Sequence, residues 1–223
     1  MRQLVLDIGP DAPPGFDNFV PGDNEALLFA VQRAVRGDAH VFLWGPPGCG
    51  RTHLLKASVA AALEAARPAV YLPAEEVTAA LPDTSGLLLA VDDVERLNPP
   101  AQIALFNAYN RAPAQGQTLL LAGHCAPLEL RLREDLRTRI GQCLIFETRP
   151  LDDTARTEIL FSIAHRRGLR LNDEVVAFLL RHGSRELPRL LAVLDALDRA
   201  SLEHKRPATL PLLRELMQAG LEI

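Results

Sequence analysis

The sequence predicts an α/β fold with a parallel sheet, followed by a small all-helical domain. Three observations support this prediction. Short apolar runs alternate with helical stretches up to Pro150, which is typical of a doubly wound parallel sheet. A glycine-rich turn joins one of these runs to a helix at residues 45–52. After Pro150, four helical stretches follow one another without a strand between them. We therefore place a sheet domain at 16–150 and a helical domain at 151–223.

The composition fits a globular chain and argues against several classes of protein. Of the 223 residues, 48% are apolar, which is enough to build a core. The net charge of −4 argues against a dedicated nucleic-acid surface. Cys49, Cys125 and Cys143 form an odd, widely spaced set, which suits a reducing cytoplasm better than a disulfide framework. The sequence shows no signal peptide and no apolar run long enough to span a bilayer, so we expect a cytoplasmic protein with no membrane partner.

Residues 1–8 permit two interpretations. Leu4, Leu6 and Ile8 alternate with other residues, which is typical of an edge strand. The segment that follows, Gly-Pro-Asp-Ala-Pro-Pro-Gly, is too rich in proline and glycine to continue a sheet. An apolar peptide on such a tether is also typical of a terminal segment that is disordered or binds a partner. Residues 1–15 are therefore treated as a peptide and linker, separate from the sheet domain.

The sheet domain begins with a segment, residues 16–24, that leads into a helix from about Glu25 to Arg36. Asn24 precedes this helix and is expected to cap its N-terminus. The residues expected on the inner face of the helix are Ala26, Phe29, Ala30 and Val31.

The motif that carries the chemistry lies at residues 45–52. A short apolar run, Val41 to Trp44, stops at a glycine, and the spacing that follows fits the phosphate-loop pattern G-x-x-x-x-G-K-S/T. Gly48 and Gly50 lack Cβ atoms and can turn backbone N–H groups inward around phosphate oxygens. The helix from about Thr52 to Ala66 adds the positive end of its dipole. The alternative is a glycine-rich turn with no ligand, but the strand before and the helix after match the context of the motif. The loop residues predicted to bind nucleotide are Gly45, Pro46, Pro47, Gly48, Cys49, Gly50, Arg51, Thr52 and His53.

Arg51 stands where the motif usually has lysine. Because Lys56 and Lys205 are the only lysines among 24 basic residues, Arg51 partly reflects a preference of the whole chain for arginine. A planar guanidinium cannot deliver a compact charge between two phosphates as an ammonium does. The exchange is therefore more compatible with nucleotide binding than with fast hydrolysis.

A second candidate half-site follows a buried strand. After a strand at Ala69 to Leu72 and a short helix at Glu75 to Leu81, the apolar run Leu87 to Val91 ends in Asp92 and Asp93. In nucleotide sites of this kind the first carboxylate binds Mg²⁺ through its waters, and the next orients the attacking water. The alternative is a strand that ends in an aspartate helix cap. The predicted Mg²⁺ ligands are the Thr52 hydroxyl and Asp92, and the short side chain at Asp93 again indicates slow turnover.

The remaining elements complete the pattern. A helix from about Pro100 to Arg111 precedes a strand at Thr118 to Ala122, which ends at His124, either a polar sensor of the nucleotide or a solvated loop histidine. A basic helix and a last strand follow, and four helical stretches make up the second domain. These segments are Arg133 to Ile140, Cys143 to Phe146, Thr154 to Arg167, Asp173 to Arg181, Arg185 to His204 and Leu210 to Ala219.

With the loop, the paired aspartates and the helical domain placed, the chain resembles the AAA+ ATPases, and within them the bacterial initiator DnaA. Phe16-Asp-Asn-Phe19 is similar to the segment before the DnaA ATPase core, and Asp135-Leu-Arg-Thr-Arg-Ile140 resembles its arginine-finger box. Arg51 in place of lysine, and the stretch Leu194 to Ser201, resemble the Hda family of DnaA regulatory inactivators. The likeness covers nearly the whole chain and implies a P-loop AAA+ core with a helical lid domain.

This resemblance also implies roles for residues outside the loop. Arg139 matches the arginine finger that acts in trans. Strict register puts the second-sensor arginine at Pro188, which cannot serve, so we assign this role to Arg189, with Arg185 as the fallback. DnaA-like proteins usually carry an aspartate near the first sensor, where this chain has His124. The N-terminal segment resembles the peptide by which the family docks on the sliding clamp, the beta subunit of the DNA polymerase. Its clamp-binding residues are Gln3, Leu4, Leu6, Asp7 and Ile8.

The function that the resemblance implies is negative regulation of DNA replication initiation. Such a protein binds ADP or ATP with Mg²⁺, docks on the DNA-loaded clamp at the replisome, and stimulates hydrolysis of DnaA-bound ATP while hydrolysing little itself. We expect DnaA and the clamp as partners, no dedicated DNA-binding domain, and possible homo-oligomers. The alternative is an AAA+ adaptor or loader that delivers a helicase or another replication protein to DNA. A self-sufficient ATPase is a third option, disfavoured by Arg51 and Asp93.

Overall fold

The structure is a computed structural model of the chain, and it describes residues 13–184 and 187–223. The chain divides between Pro150 and Leu151 into two compact units, of which the first contains the sheet and the second is helical. The peptide at residues 1–8, for which the sequence permits two interpretations, lies outside the described residues.

A five-stranded sheet forms the centre of the first unit. Every pair of neighbouring strands is parallel, and the order across the sheet is β2-β3-β4-β1-β5. The strands are β1 (Val41–Trp44), β2 (Ala69–Pro73), β3 (Leu88–Asp92), β4 (Thr118–Gly123) and β5 (Leu144–Glu147). The predicted parallel α/β fold is confirmed. This order places β1, β4 and β3 side by side, so the segments that follow them meet at one edge of the sheet.

Helices cover both faces of this sheet. They are α1 (Glu25–Arg36), α2 (Arg51–Glu64), α3 (Pro99–Gln115) and α4 (Glu134–Ile140). Because successive side chains of a strand point to opposite faces, Phe42 packs in one core cluster with α3 and α4, whereas Leu43 packs in another with α1 and α2. Both faces of the central strands β1, β3 and β4 are buried, which explains why these strands read as continuous apolar runs rather than as alternating ones.

The inner face of α1 differs from the prediction. Leu27, Ala30, Val31 and Ala34 are buried, a set with the i, i+3, i+4, i+7 spacing of one helix face. Ala26 is exposed and Phe29 is 62% exposed, so these two assignments were wrong. The helix has enough apolar residues for either of two faces to be the buried one. Packing against the sheet buries the face that contains Leu27.

Asn24 occupies the N-cap position of α1, but its side chain does not cap the helix. Its Nδ2 donates to the carbonyls of Pro21 at 2.9 Å and Arg149 at 3.0 Å, while its Oδ1 accepts the Arg149 N–H at 2.8 Å. The predicted capping role is therefore wrong. The side chain instead joins the start of α1 to the segment that follows β5.

Two further elements differ in extent from the prediction. The helix expected at 75–81 is a single 3-10 turn, Ala74–Glu76, after which Val77 and Leu81 insert into the core. Helix α3 runs past Arg111, includes Pro113 and ends at Gln115, where Gly116, with a positive φ of 61°, caps the last turn.

The second unit consists of packed helices joined by short connections. They are α5 (Asp153–Arg166), α6 (Asp173–His182), α7 (Leu187–His204) and α8 (Leu210–Gln218). A single parallel bridge pairs Leu171 with Ala208, and the core of this unit is built from leucine, valine and alanine side chains of all four helices. Within the described ranges, no helix combines the length and the hydrophobicity that a membrane span needs.

Candidate functional site

The loop between β1 and α2 adopts the backbone that the motif requires. Gly48 and Gly50 both have positive φ, at 76° and 97°. A Cβ atom on Gly50 would lie 2.9 Å from a ring carbon of Phe19, so this position excludes a side chain on two grounds. Pro46, Pro47 and Gly48 are exposed at the tip of the loop, where their backbone is accessible to a ligand.

Two other loop residues face the interior of the protein. Gly45 is buried where β1 ends, and a Cβ there would meet the Thr148 carbonyl oxygen at 2.5 Å. The Cys49 side chain is also buried, and this burial raises the pKa of its thiol. Gly45 and the Cys49 side chain therefore pack under the loop, and neither residue offers a side chain to a ligand.

Arg51 is the first residue of α2 and is only 9% exposed. One guanidinium nitrogen donates to the carbonyl of Gly123 at the end of β4, and the other lies 3.7 Å from Oδ1 of Asp93. The side chain thus spans from the loop to the ends of the two neighbouring strands. In this arrangement the arginine charge is already partly neutralised by a carboxylate.

Asp92 ends β3 and is 3% exposed. Its Oδ2 accepts hydrogen bonds from the hydroxyl of Thr52 at 2.6 Å and from that of Tyr71 at 3.0 Å, while its Oδ1 accepts the Asp93 N–H at 3.0 Å. The structure therefore brings together the two predicted Mg²⁺ ligands, Thr52 and Asp92. Tyr71 was not predicted from the sequence, because nothing in its local pattern marks a polar role.

Asp93 lies in the left-handed region, with φ and ψ both 50°. Burial raises the pKa of its carboxyl group, and the neighbouring Asp92 and Glu95 raise it further, against the opposing effect of Arg51 and Arg96. Its Oδ2 is 3.9 Å from Arg96. The carboxylate is therefore held between two arginines, at the end of β3.

His124 follows β4 and contacts a carboxylate that the sequence did not indicate as part of the site. Its Nδ1 lies 2.9 Å from Oε1 of Glu95, while the other carboxylate oxygen of Glu95 is buried without a hydrogen-bond partner. Glu95 lies three residues after Asp92, in a turn whose direction the sequence does not reveal. His124 is thus paired with a carboxylate, and because its side chain is also 54% exposed it keeps the character of a solvated loop histidine.

His53 contacts the segment that precedes α1. Its Nε2 is 3.0 Å from the carbonyl oxygen of Gly15, and its ring lies 5.7 Å from that of Phe19. Phe16 and Phe19 also pack against the core cluster that contains α1 and α2. The segment Phe16–Phe19 is therefore held beside the N-terminus of α2 by packing and by its contacts with His53.

Arg139 lies near the end of α4 and is half-buried. Its guanidinium carbon is 5.9 Å from the ring centroids of both Phe106 and Tyr109 on α3, and Nη1 donates to Oε1 of Gln142 at 3.2 Å. Arg133, at the N-terminal end of the same helix, is exposed and forms an ion pair with Asp135 at 2.7 Å. Arg139 is therefore held by aromatic rings and an amide rather than by a carboxylate in these contacts.

The remaining predicted residues belong to the second unit or to segments outside the described residues. Arg189 is exposed in the first turn of α7, in the second unit, and Pro188 precedes it in the same turn. Arg185, the fallback for the second sensor, is outside the described residues. So are the predicted clamp-binding residues, which are Gln3, Leu4, Leu6, Asp7 and Ile8.

Comparison with known families gives two matches in consecutive parts of the chain. A model of the bacterial DnaA ATPase domain matches residues 12–147, which is more than half of the chain. A model of the Hda lid domain matches residues 153–217.

Solved structures with the same architecture include DnaA proteins. Domain III of the Thermotoga maritima DnaA is 20% identical, with 96% of this chain and 100% of that chain covered and a TM-score of 0.79. AMPPCP-bound DnaA from Aquifex aeolicus is 22% identical over 83% of this chain and 65% of that chain, with a TM-score of 0.70. A RuvB variant from Thermotoga maritima is 21% identical over 93% and 72%, with a TM-score of 0.73. This chain spans about two thirds of the longer DnaA chain from Aquifex aeolicus. At these identities the likeness shows the fold alone.

Proposed function

The chain belongs to the DnaA-related AAA+ proteins, and from this premise we propose that it is a negative regulator of DNA replication initiation. In this proposal it binds an adenine nucleotide, docks on the DNA-loaded sliding clamp, and stimulates hydrolysis of the ATP bound to DnaA. The observation that carries the proposal is the match to an Hda lid domain directly after a DnaA ATPase domain. The cytoplasm, at the replisome, is the location that this function requires.

Nucleotide binding is supported by the loop and the N-terminus of α2. The N–H of the exposed Gly48, together with the helix dipole, provides donors for phosphate oxygens, whereas Pro46 and Pro47 have no N–H and contribute only the shape of the loop tip. Thr52 and Asp92 fit a Mg²⁺ ion, since two hard oxygen donors lie within hydrogen-bond distance of each other and the carboxylate is held in place. The ion would neutralise phosphate charge. The similar DnaA from Aquifex aeolicus has been solved with the nucleotide analogue AMPPCP bound.

Slow hydrolysis by the protein itself is supported by the contacts of Arg51 and Asp93. The guanidinium that replaces the usual lysine contacts the Gly123 carbonyl and Asp93, so its charge is shared with the protein. Asp93, the carboxylate that would orient a water, is in turn held by Arg51 and Arg96. Both groups would have to leave their present partners to act on a γ-phosphate. The nucleotide is therefore proposed as a structural and switching ligand.

Arg139 is proposed as the group that this protein contributes to the reaction on DnaA. Its guanidinium contacts two aromatic rings and the Gln142 amide, none of which compensates its positive charge as a carboxylate would. A guanidinium delivered across a subunit interface neutralises charge that develops on the γ-phosphate, an effect worth roughly 10³–10⁵ in rate. Docking on the clamp through Gln3, Leu4 and the apolar positions that follow would bring this arginine to DnaA on DNA.

The test is a reconstituted assay of the hydrolysis of DnaA-bound ATP, with clamp loaded on DNA and ADP present. Arg139→Ala is expected to lower the stimulated rate by roughly 10³-fold or more while clamp and nucleotide binding stay near normal. Arg133→Ala is the matched control, because Arg133 lies beside the same helix in an exposed ion pair. Hydrolysis at the wild-type rate with Arg139→Ala would remove this residue from the mechanism, and Arg137 would be the next candidate.

A second arm of the assay tests the tether. Replacing Gln3 and Leu4 with alanine is expected to abolish capture on purified clamp, without affecting folding or nucleotide affinity. A double variant that still binds the clamp would exclude this segment. If the wild-type protein leaves DnaA-bound ATP intact but brings a helicase to DNA, the adaptor or loader function replaces the proposed one.

A further inference from the structure

Three hydrogen-bond donors hold the carboxylate of Asp92, and each comes from a different part of the fold. Thr52 lies at the start of α2, the Asp93 N–H follows β3, and Tyr71 lies on β2. The hydroxyls of Thr52 and Tyr71 both donate to the same oxygen, Oδ2. Tyr71 is the one donor of the three that belongs to neither the glycine-rich loop nor the acidic strand end.

We propose that Tyr71 is a positioning residue that fixes the rotation of the Asp92 carboxylate for the metal ion of the nucleotide site. The proposal rests on the proposed nucleotide-binding function. A carboxylate that holds a hydrated cation must keep its oxygens in one orientation, and outer-shell hydrogen bonds supply that orientation. Loss of such a partner typically lowers metal affinity about 10-fold to 100-fold.

The sheet brings Tyr71 to this place. Strand β2 pairs with β3 in parallel, with Tyr71 opposite Ala90 and Pro73 opposite Asp92. The phenol ring lies two residues back along the neighbouring strand, so its hydroxyl reaches forward to the carboxylate at 3.0 Å. A shorter side chain at this position would not span the distance between the strands at their ends.

Lys56 strengthens the same contact. Lys56 lies on α2, one helical turn after Thr52, and its ammonium nitrogen is 5.1 Å from the centroid of the Tyr71 ring. A cation over an aromatic face withdraws electron density from the ring, which makes the phenol O–H a better donor.

The alternative is that Tyr71 has only a packing role, since its ring also packs against the core cluster that contains α1 and α2. The two interpretations differ in what removal of the hydroxyl does. If Tyr71 has only a packing role, Tyr71→Phe does not change the effect of Mg²⁺ on nucleotide binding. Under our proposal it weakens the metal-dependent part of nucleotide binding and leaves the metal-independent part unchanged.

The experiment measures the Kd of a fluorescent ADP analogue in Mg²⁺ and in EDTA, for the full chain. The ratio of the Kd in EDTA to the Kd in Mg²⁺ isolates the contribution of the metal to binding. We expect Tyr71→Phe to reduce this ratio about 10-fold, with the Kd in EDTA unchanged. The control is Tyr109→Phe, the same change at the only other tyrosine of the chain, which lies on α3 and is expected to keep the wild-type ratio.

A double-mutant cycle shows whether Tyr71 acts through Asp92. Asp92→Asn is expected to bring the ratio close to one, and Tyr71→Phe is expected to lower it no further in that background. The increase in unfolding midpoint on adding Mg²⁺ to ADP-bound protein provides a second readout, which Tyr71→Phe should reduce. A wild-type ratio in Tyr71→Phe, or an additional fall in the Asp92→Asn background, would overturn the role of Tyr71. A wild-type protein that binds no ADP, or binds it equally in EDTA, would overturn the proposed nucleotide and metal site as well.

Discussion

Asn24 provides a sharp test of how side-chain geometry, rather than position in the sequence, decides the role of a residue. A capping asparagine can be replaced by aspartate or serine at little cost, because those residues cap helices equally well. A bridging asparagine cannot, because it needs both a donor and an acceptor. Asn24 donates to two carbonyls and accepts one N–H, so the structure predicts that Asn24→Asp destabilises the sheet unit.

The magnitude follows from the three hydrogen bonds. Each contributes about 0.5–1.5 kcal/mol net, so losing all three in Asn24→Ala is expected to cost about 1.5–4.5 kcal/mol. Asn24→Asp keeps the bond from the Arg149 N–H but loses both donors and places a carboxylate against the carbonyls of Pro21 and Arg149. It is therefore expected to cost about 2 kcal/mol or more, since Asn24 is only 4% exposed and water cannot compensate fully.

The assay is urea unfolding followed by the fluorescence of Trp44, the single tryptophan, which lies on β1 in the sheet unit. Asn98→Asp is the matched control. Asn98 is a true N-cap, whose Oδ1 accepts the Ala101 N–H at 2.9 Å, so aspartate should replace it within about 0.5 kcal/mol. If Asn24→Asp is as stable as the wild type, the bridge contributes nothing and the reasoning from these contacts fails.

Two further predictions concern acid stability and nucleotide turnover. Burial lowers the pKa of His40, whose Nδ1 accepts the Leu119 N–H and so must be unprotonated in the folded state. The unfolded state then binds more protons below pH about 6.5, and stability falls as the pH is lowered through this value. Urea unfolding at pH 7.5 and 5.5 should show a smaller loss for His40→Gln than for the wild type, and equal losses would contradict the assignment. ADP is expected to raise the unfolding midpoint of the isolated protein, while its hydrolysis of ATP stays very slow because Arg51 is engaged with Gly123 and Asp93; rapid multiple turnover would refute this.

The fold class followed from the sequence because its signals are local. Buried strands such as β3 read as short apolar runs, and the helices of the second unit follow one another with no strand between them. The prediction was less accurate where two local patterns competed. The phase of α1 was misplaced because Phe29 and Leu27 are equally apolar, and only packing against the sheet leaves Phe29 exposed.

The candidate site likewise has features that the sequence predicts and contacts that only the fold determines. The spacing of Gly48, Gly50 and Thr52 and the position of Asp92 at a strand end indicate phosphate and metal chemistry from the sequence alone, since backbone freedom and ligand type are properties of the residues themselves. The partners of these residues are not encoded by spacing. Tyr71 lies on a different strand from Asp92, and the pair meets only because β2 lies beside β3.

What the sequence by itself determined is therefore the class of fold, the phosphate-loop motif and the family resemblance. What only the tertiary structure decided is which groups touch: Arg51 with the end of β4, Glu95 with His124, and Asn24 with the segment after β5. The physical reason is that periodicity and composition act within a few residues of chain. Hydrogen bonds and ion pairs between distant residues depend on the order of the strands and the rotation of each side chain, and these are set only when the core is packed.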